Sequence, residues 1–143
     1  MIKKDSLLVI APLADIWSGI GNFGAPPLGP WRLVSYLRSK GFKADVWDCN
    51  VSRSLVIPNL SESDHINRAA LIADAVVKAI ETDVNLKSYQ WIGFSILNDT
   101  LPMTLGVIER IREKYSDKLL IAGNHEATVN LQDCFGKSRL NAI

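Results

Sequence analysis

Small and polar residues follow two apolar segments of this chain, at the places where strands would end. Gly93 and Ser95 alternate in the segment WIGFSI, and Gly123 and Asn124 follow the segment LLIA. Because alternate residues of a strand share one face, this pattern predicts a narrow slot with a hydroxyl donor at its rim. The alternative is that Gly93 and Ala122 only accommodate a closely packed helix.

A second candidate ligand-binding segment is the loop of residues 14–30, which contains four glycines and three prolines. Glycine lets backbone approach a ligand closely, and proline keeps the path stiff. Residues 19–24 (GIGNFG) match the dinucleotide-binding pattern G-x-G-x-x-G, but that pattern must open a helix directly. Prolines delay the helix here, and Asp48 is poorly placed as a ribose-binding acid, so no dinucleotide site is predicted.

Composition excludes several other kinds of site. The chain carries 16 Lys plus Arg against 15 Asp plus Glu, with no basic cluster between aromatic residues, so nucleic-acid binding is not predicted. Cys49 and Cys134 alone can build neither a disulfide framework nor a four-ligand metal site, and indicate reduced thiols in a cytoplasmic protein. No nucleophile with an adjacent base is found, so no catalytic residue is assigned.

The elements that must position these residues alternate between strand and helix. Apolar runs predict strands over residues 7–13, 43–48, 91–96 and 119–122. Helical spacing predicts helices over residues 31–40, 66–80, 101–115 and 126–136. Strands joined by helical crossovers form a doubly wound parallel α/β sheet, Rossmann-like or flavodoxin-like, which binds ligands at the carboxyl ends of its strands.

The helical spacing also predicts helix ends and inner faces. The first helix ends before Gly41, and its inner residues are Leu33, Val34 and Leu37. The second helix has Ser63 or Asp64 as its N-cap and an apolar stripe that continues to Ile80. The third helix follows Thr100, and its inner residues are Leu101, Leu105, Ile108, Arg112 and Tyr115.

Length and hydropathy favour a single domain. A chain of 143 residues can bury one hydrophobic core without the help of disulfides or a structural metal. No window reaches the roughly 18 apolar residues that a membrane span requires. The apolar run after Lys3 and Lys4 stops at Asp15, so it predicts a buried first strand rather than a signal peptide.

Three segments, taken together, resemble a known family. Residues 26–42 (PPLGPWRLVSYLRSKGF) resemble the pattern P-P-L-G-x-x-x-L-x-x-x-L-x-x-x-G-[HF] of the cobalamin-binding domains that precede radical S-adenosylmethionine cores. Residues 92–97 (IGFSIL) resemble that family's V-G-[IF]-S-x-[LT] strand, and residues 121–128 (IAGNHEAT) resemble its V-x-G-G-x-H-x-[ST] turn. The shared order and spacing make the combined signal stronger than any single motif.

The resemblance implies a domain that binds cobalamin, with the corrin ring over the carboxyl edge of the sheet and the nucleotide tail in a slot of small residues. Implied neighbours of the corrin ring or its lower face are Gly21, Asn22, Pro27, Leu97 and Asn98. Ser95 would lie beside the benzimidazole base, and the remaining implied neighbours of the tail are Gly123, Asn124 and His125.

The chain departs from the family and from related corrinoid proteins at two positions. Asn124 replaces the second glycine of the last motif, and asparagine adopts the left-handed conformation more readily than most residues. Corrinoid methyltransferases and mutases of the related type carry D-x-H-x-x-G in the first loop, with the histidine on cobalt, whereas Trp17 stands at the histidine position here. We therefore expect cobalamin to bind base-off, without a histidine ligand from this motif.

The resemblance further implies a parent enzyme, a cobalamin-dependent radical S-adenosylmethionine methyltransferase or a relative. A downstream barrel would bind S-adenosylmethionine and a [4Fe-4S] cluster through C-x-x-x-C-x-x-C, a motif that residues 1–143 lack. The chain is thus expected to be an inactive cofactor-binding fragment. The competing interpretations are a flavodoxin-like module for a flavin, a nucleotide or a protein partner, and a structural domain with a degenerate site.

Overall fold

The computed structural model describes residues 6–13, 27–59, 67–97, 100–124 and 129. Within these residues the elements are β1 (Ser6–Ile10), α1 (Leu28–Ser39), β2 (Lys43–Trp47), α2 (Arg68–Asp83), a 3-10 turn (Leu86–Ser88), β3 (Trp91–Ser95), α3 (Leu101–Lys114) and β4 (Leu119–Gly123). The strands pair in parallel, in the spatial order β2-β1-β3-β4. The prediction of a doubly wound parallel α/β sheet is confirmed.

The described helices cover the two faces of the sheet unequally. On one face, α2 and α3 pack on each other and on a large apolar core that includes Leu8, Ile92 and Leu120. On the opposite face, α1 buries Val34 in a small cluster with Val9 and Ala44, mainly over β1 and β2. Within the described residues, the α1 side of β3 and β4 therefore stays open.

The helix α1 begins three residues before its predicted start and ends where Gly41 predicts. Gly41 has a φ of +87°, a left-handed conformation that glycine adopts without a steric penalty. Its amide donates to the carbonyl of Arg38 at 3.0 Å, and the amide of Phe42 donates to the carbonyl of Leu37 at 3.1 Å. These two bonds form a Schellman motif, which satisfies carbonyl groups at the end of the helix.

The helix α2 keeps its predicted apolar stripe but not its predicted N-cap. The helix begins at Arg68 with Asn67 as its N-cap residue, rather than at Ser63 or Asp64, which lie outside the described residues. Ala73, Val76, Val77 and Ile80 are buried as predicted.

In α3 the start after Thr100 is confirmed, and of the predicted inner residues Ile108 is buried while Leu101, Leu105 and Tyr115 pack against the edge of the core. The buried residues of this helix are Met103, Thr104, Val107, Ile108 and Ile111. Leu101, Leu105, Arg112 and Tyr115 are only half-buried. Apolar residues surround much of α3, so periodicity allows neighbouring stripes, and the contact with α2 selects one of them.

The predicted strands are confirmed with small differences at their ends. The first strand ends at Ile10 instead of Leu13, although the Ala11 amide still donates to the Trp47 carbonyl at 2.9 Å. The predicted helix over residues 126–136 lies outside the described residues, apart from Val129. Among the helices described, none combines the length and the apolar character that a bilayer crossing requires.

Candidate functional site

A groove of about 450 Å³ lies on the open face of the sheet. Its floor is formed by Leu7, Val9, Gly93 and Ile121, one or two residues from each of β1, β3 and β4. These positions alternate with the core residues of the same strands, so they face away from α2 and α3. A pocket of this volume falls within the range of small-molecule binding sites in proteins.

One wall of the groove is the amino-terminal part of α1. Gly29, Pro30 and Leu33 line this wall. The prediction that Leu33 packs in the core is wrong, because its side chain is 47% exposed beside the open face. Because α1 packs mainly on β1 and β2, its first turns lie along the edge of the groove and do not cover it.

The groove lies at the switch point of the sheet topology. From β1 the chain crosses to β2 on one side, and from β2 it returns past β1 to reach β3. Connections therefore leave the sheet in opposite directions beside β1 and β3, and open α/β sheets bind ligands at this point.

The rim of the groove at the carboxyl ends of β3 and β4 is polar. The Asn124 side chain donates through Nδ2 to Ser95 Oγ at 3.2 Å. Asn124 has a φ of +82°, so the expectation that it adopts the left-handed conformation is confirmed. Ser95 is half-buried and Asn124 is exposed, which leaves both groups accessible to a ligand.

The glycines of the groove leave room for a ligand. A Cβ atom added at Gly29 or Gly123 would meet no atom within 4 Å. A Cβ atom at Gly93 would lie 3.5 Å from side-chain atoms of Leu7 and Ile121, which is ordinary van der Waals contact. Because its nearest neighbours belong to strands, close packing of a helix does not account for Gly93.

The structure brings together three of the predicted site residues, namely Ser95, Gly123 and Asn124. Pro27 lies next to the groove but outside its lining, where its carbonyl accepts the Trp31 amide at 3.3 Å. The carbonyl of Leu97, also outside the lining, accepts from the Thr100 amide and hydroxyl, each at 3.1 Å. The predicted residues that lie outside the described part are Gly21, Asn22, Asn98 and His125.

The sequence prediction missed most of the apolar lining, including Leu7, Val9 and Ile121. The alternation of side chains along a strand could have predicted this. Ile121 lies on the same face of β4 as Gly123, and Gly93 lies on the same face of β3 as Ser95. Sequence alone does not show that this face lacks a covering helix.

Among the described residues, those that line the groove are apolar, glycine, serine or asparagine. No group of three or more His, Cys, Asp or Glu residues that could hold a metal occurs in the described part of the chain. The described lining therefore offers shape, apolar contact and a few hydrogen bonds to a ligand.

A second, smaller cleft lies at the carboxyl end of β2, beside Asp48, Ser52 and Asp83. The Asp48 Oδ1 atom accepts from the Asn50 amide at 2.9 Å, and Asp83 accepts hydrogen bonds from Ser52 and two other side chains. These carboxylates already fix the loop after β2, so a structural role accounts for them.

Fold and site together define a small α/β domain with a ligand-sized groove at its switch point. Comparison with protein-family models, with curated proteins and with solved structures finds no match to this chain.

Proposed function

We propose that the groove receives the nucleotide tail of cobalamin and that the domain holds the corrin ring above the carboxyl edge of its sheet. The observation that carries this proposal is the pairing of Ser95 and Asn124 at the rim of a groove of about 450 Å³ whose described lining residues carry no charge. These two residues belong to two of the segments that resemble the family of cobalamin-binding domains.

The chemistry of the lining suits a flat heterocyclic base. The benzimidazole base of cobalamin has two apolar faces, which the side chains of Leu7, Val9 and Ile121 can contact. Burial of such faces is favourable by about 25 cal/mol for each Å² removed from water. The Ser95 hydroxyl at the rim can donate a hydrogen bond to a ring nitrogen.

The wall formed by α1 suits the remainder of the tail, a ribose with one phosphodiester. Gly29 and Pro30 belong to the first turn of this helix, which contains no acidic residue; because proline has no N–H group, the amides of this turn are those of Leu28 and Gly29. Free amide groups and the helix dipole give such a helix start a positive partial charge, which stabilises a nearby anion. One phosphodiester matches this modest charge.

The described lining also bears on the choice between cobalamin and a free polyphosphate nucleotide. Phosphate chains are usually held by Lys, Arg or a glycine-rich loop at a helix start, and none of the described residues that line this groove is cationic. The observation therefore favours a ligand whose larger part is uncharged.

We further infer that the domain serves a radical S-adenosylmethionine enzyme, with methyl transfer as the proposed reaction. The resemblance of residues 26–42, 92–97 and 121–128 supports this step. Cobalamin supplies a cobalt-bound methyl group in such chemistry. The residues of this chain would bind the tail and keep water from its base, while S-adenosylmethionine and the iron–sulfur cluster would be bound by other residues of the parent enzyme.

A titration of the purified chain with hydroxocobalamin tests the proposal. The visible spectrum should shift to the base-off form with a stoichiometry of one, because the base leaves cobalt to enter the groove. Ser95→Trp should abolish the shift, since an indole would fill the slot at its rim. Ser116→Trp, at an exposed position between α3 and β4, is the matched control and should bind like wild type.

Far-UV circular dichroism should show that both tryptophan variants fold. An unchanged cobalamin spectrum with wild-type protein in excess would overturn the proposal. Retained binding by Ser95→Trp would mean that the tail does not occupy this groove.

A further inference from the structure

We infer that Asn124 orients the Ser95 hydroxyl as a hydrogen-bond donor toward the groove, so that the site selects a base with an unprotonated ring nitrogen. Asn124 is in this sense a positioning residue for specificity. The inference rests on the proposed function, because it specifies the chemistry of the base that the groove receives.

The Ser95 hydroxyl can donate one hydrogen bond while it accepts others. A serine hydroxyl has one donor proton and two acceptor lone pairs. Asn124 Nδ2 lies 3.2 Å from Ser95 Oγ and uses one of the lone pairs. Among the bonds found for the described residues, Ser95 Oγ serves only as an acceptor, so its proton is available to a ligand.

A base that enters the groove displaces the water that hydrates the Ser95 hydroxyl. A buried donor without an acceptor is costly, so the hydroxyl proton favours a ligand atom with a lone pair over a C–H group. Donation from the amide into Ser95 Oγ also polarises the O–H bond and strengthens its own donation. Asn124 thereby biases Ser95 toward acceptor atoms without having to touch the base.

The backbone conformation at Asn124 limits which substitutions can test its role. Its φ of +82° lies in the left-handed region, which Gly, Asn and Asp adopt more readily than other residues. Asn124→Gly removes the donor. Asn124→Asp keeps the shape but presents a carboxylate, which only accepts and therefore takes the Ser95 proton for itself. Asn124→Gly therefore removes the hydrogen bond to Ser95, whereas Asn124→Asp reverses its direction, so that Ser95 becomes the donor.

The probes are N-methylbenzimidazole and N-methylindole, which have nearly the same shape and differ by a ring nitrogen in place of a C–H group. Their affinities are measured by titration of the amide resonances of Gly93, Ser95 and Gly123. Wild type should prefer N-methylbenzimidazole by roughly fivefold, the factor expected for one net hydrogen bond of ordinary strength. Ser95→Ala should lose this preference or favour N-methylindole, because the ring nitrogen then has no donor.

The decisive variant is Asn124→Asp, which should lose the preference or reverse it while its affinity for N-methylindole stays near that of wild type. Asn124→Gly should show a preference between those of wild type and Ser95→Ala. If Asn124→Asp and Asn124→Gly both keep the wild-type ratio, the inference is overturned, and the cobalamin proposal stands if hydroxocobalamin binds. If neither probe shifts these resonances, the inference is overturned, and the hydroxocobalamin titration alone decides the cobalamin proposal.

Discussion

Asp83, the last residue of α2, shows how single side chains hold the loop after β2 in place. Its carboxylate accepts from Trp47 Nε1 at 3.0 Å and from the hydroxyls of Ser52 and Ser54, each at 2.5 Å. Partial desolvation raises the pKa of Asp83, but these three hydrogen bonds outweigh it and bring the pKa below its usual value of 3.8. The bonds also offset the unfavourable position of an anion at a helix carboxyl end.

This lowered pKa predicts a pH dependence of folding. Because the folded state favours the charged carboxylate, Asp83 contributes stability above its unfolded pKa, and that contribution is lost as the pH falls through its folded pKa. Asp83→Asn should therefore lower the free energy of unfolding at neutral pH. The free energy of unfolding, measured with urea between about pH 5 and pH 2, should fall more steeply with decreasing pH for wild type than for the variant. The difference in slope should correspond to the uptake of at most one proton on unfolding. Parallel curves would contradict the assigned hydrogen bonds.

At the rim of the groove, the sequence was informative because the residues themselves limit the backbone. The left-handed conformation of Asn124 was predictable, since asparagine adopts it more readily than most residues. Its hydrogen bond to Ser95 was not predictable, because it joins the ends of β3 and β4 and depends on their register.

At the scale of elements, α2 and α3 approach each other closely at Gly106. A Cβ atom added there would lie 3.2 Å from the Cβ atom of Ala73, which is tighter than usual contact. The side chain of Arg110 spans the same interface, with hydrogen bonds to the Ala70 and Gly106 carbonyls and an ion pair with Asp74. Small residues let the helices approach, and one arginine ties their exposed edge together.

Gly106→Val should consequently destabilise the domain by about 1–3 kcal/mol, the usual cost of extra volume in a tight contact. Glu109→Val is the matched control, because it places the same β-branched side chain at an exposed position of α3. The control should cost no more than about 0.7 kcal/mol, the range of ordinary helix propensities. Urea unfolding followed by circular dichroism measures both, and a Gly106→Val protein as stable as its control would contradict the close approach.

The elements also differ in how far sequence could predict them. The end of α1 was predictable from Gly41, because a left-handed residue there is a local requirement. Which residues of α3 are fully buried was not predictable, because Leu101 and Leu105 at the edge of the core are as apolar as the buried Val107 and Ile111. Only the position of α2 decides which of these stripes faces the core.

At the scale of the whole molecule, the parallel sheet followed from the alternation of strands and helices, and its order places β1 beside β3 at the switch point. The predicted site residues Ser95, Gly123 and Asn124 meet there because parallel strands share a carboxyl edge. The open face beside them was not predictable. Its exposure depends on which face each crossover covers, and α1 leaves β3 and β4 largely uncovered within the described residues.

The central claim is that this open groove binds the nucleotide tail of cobalamin. The most direct test compares the affinity of wild-type protein for hydroxocobalamin and for cobinamide, the same corrin without its nucleotide tail, by spectroscopic titration under identical conditions. We predict that cobalamin binds at least about tenfold more tightly, a difference of about 1.4 kcal/mol that the buried base supplies, and that Ser95→Trp removes this difference. Equal affinities for the two corrinoids, or no binding of either, would contradict the claim.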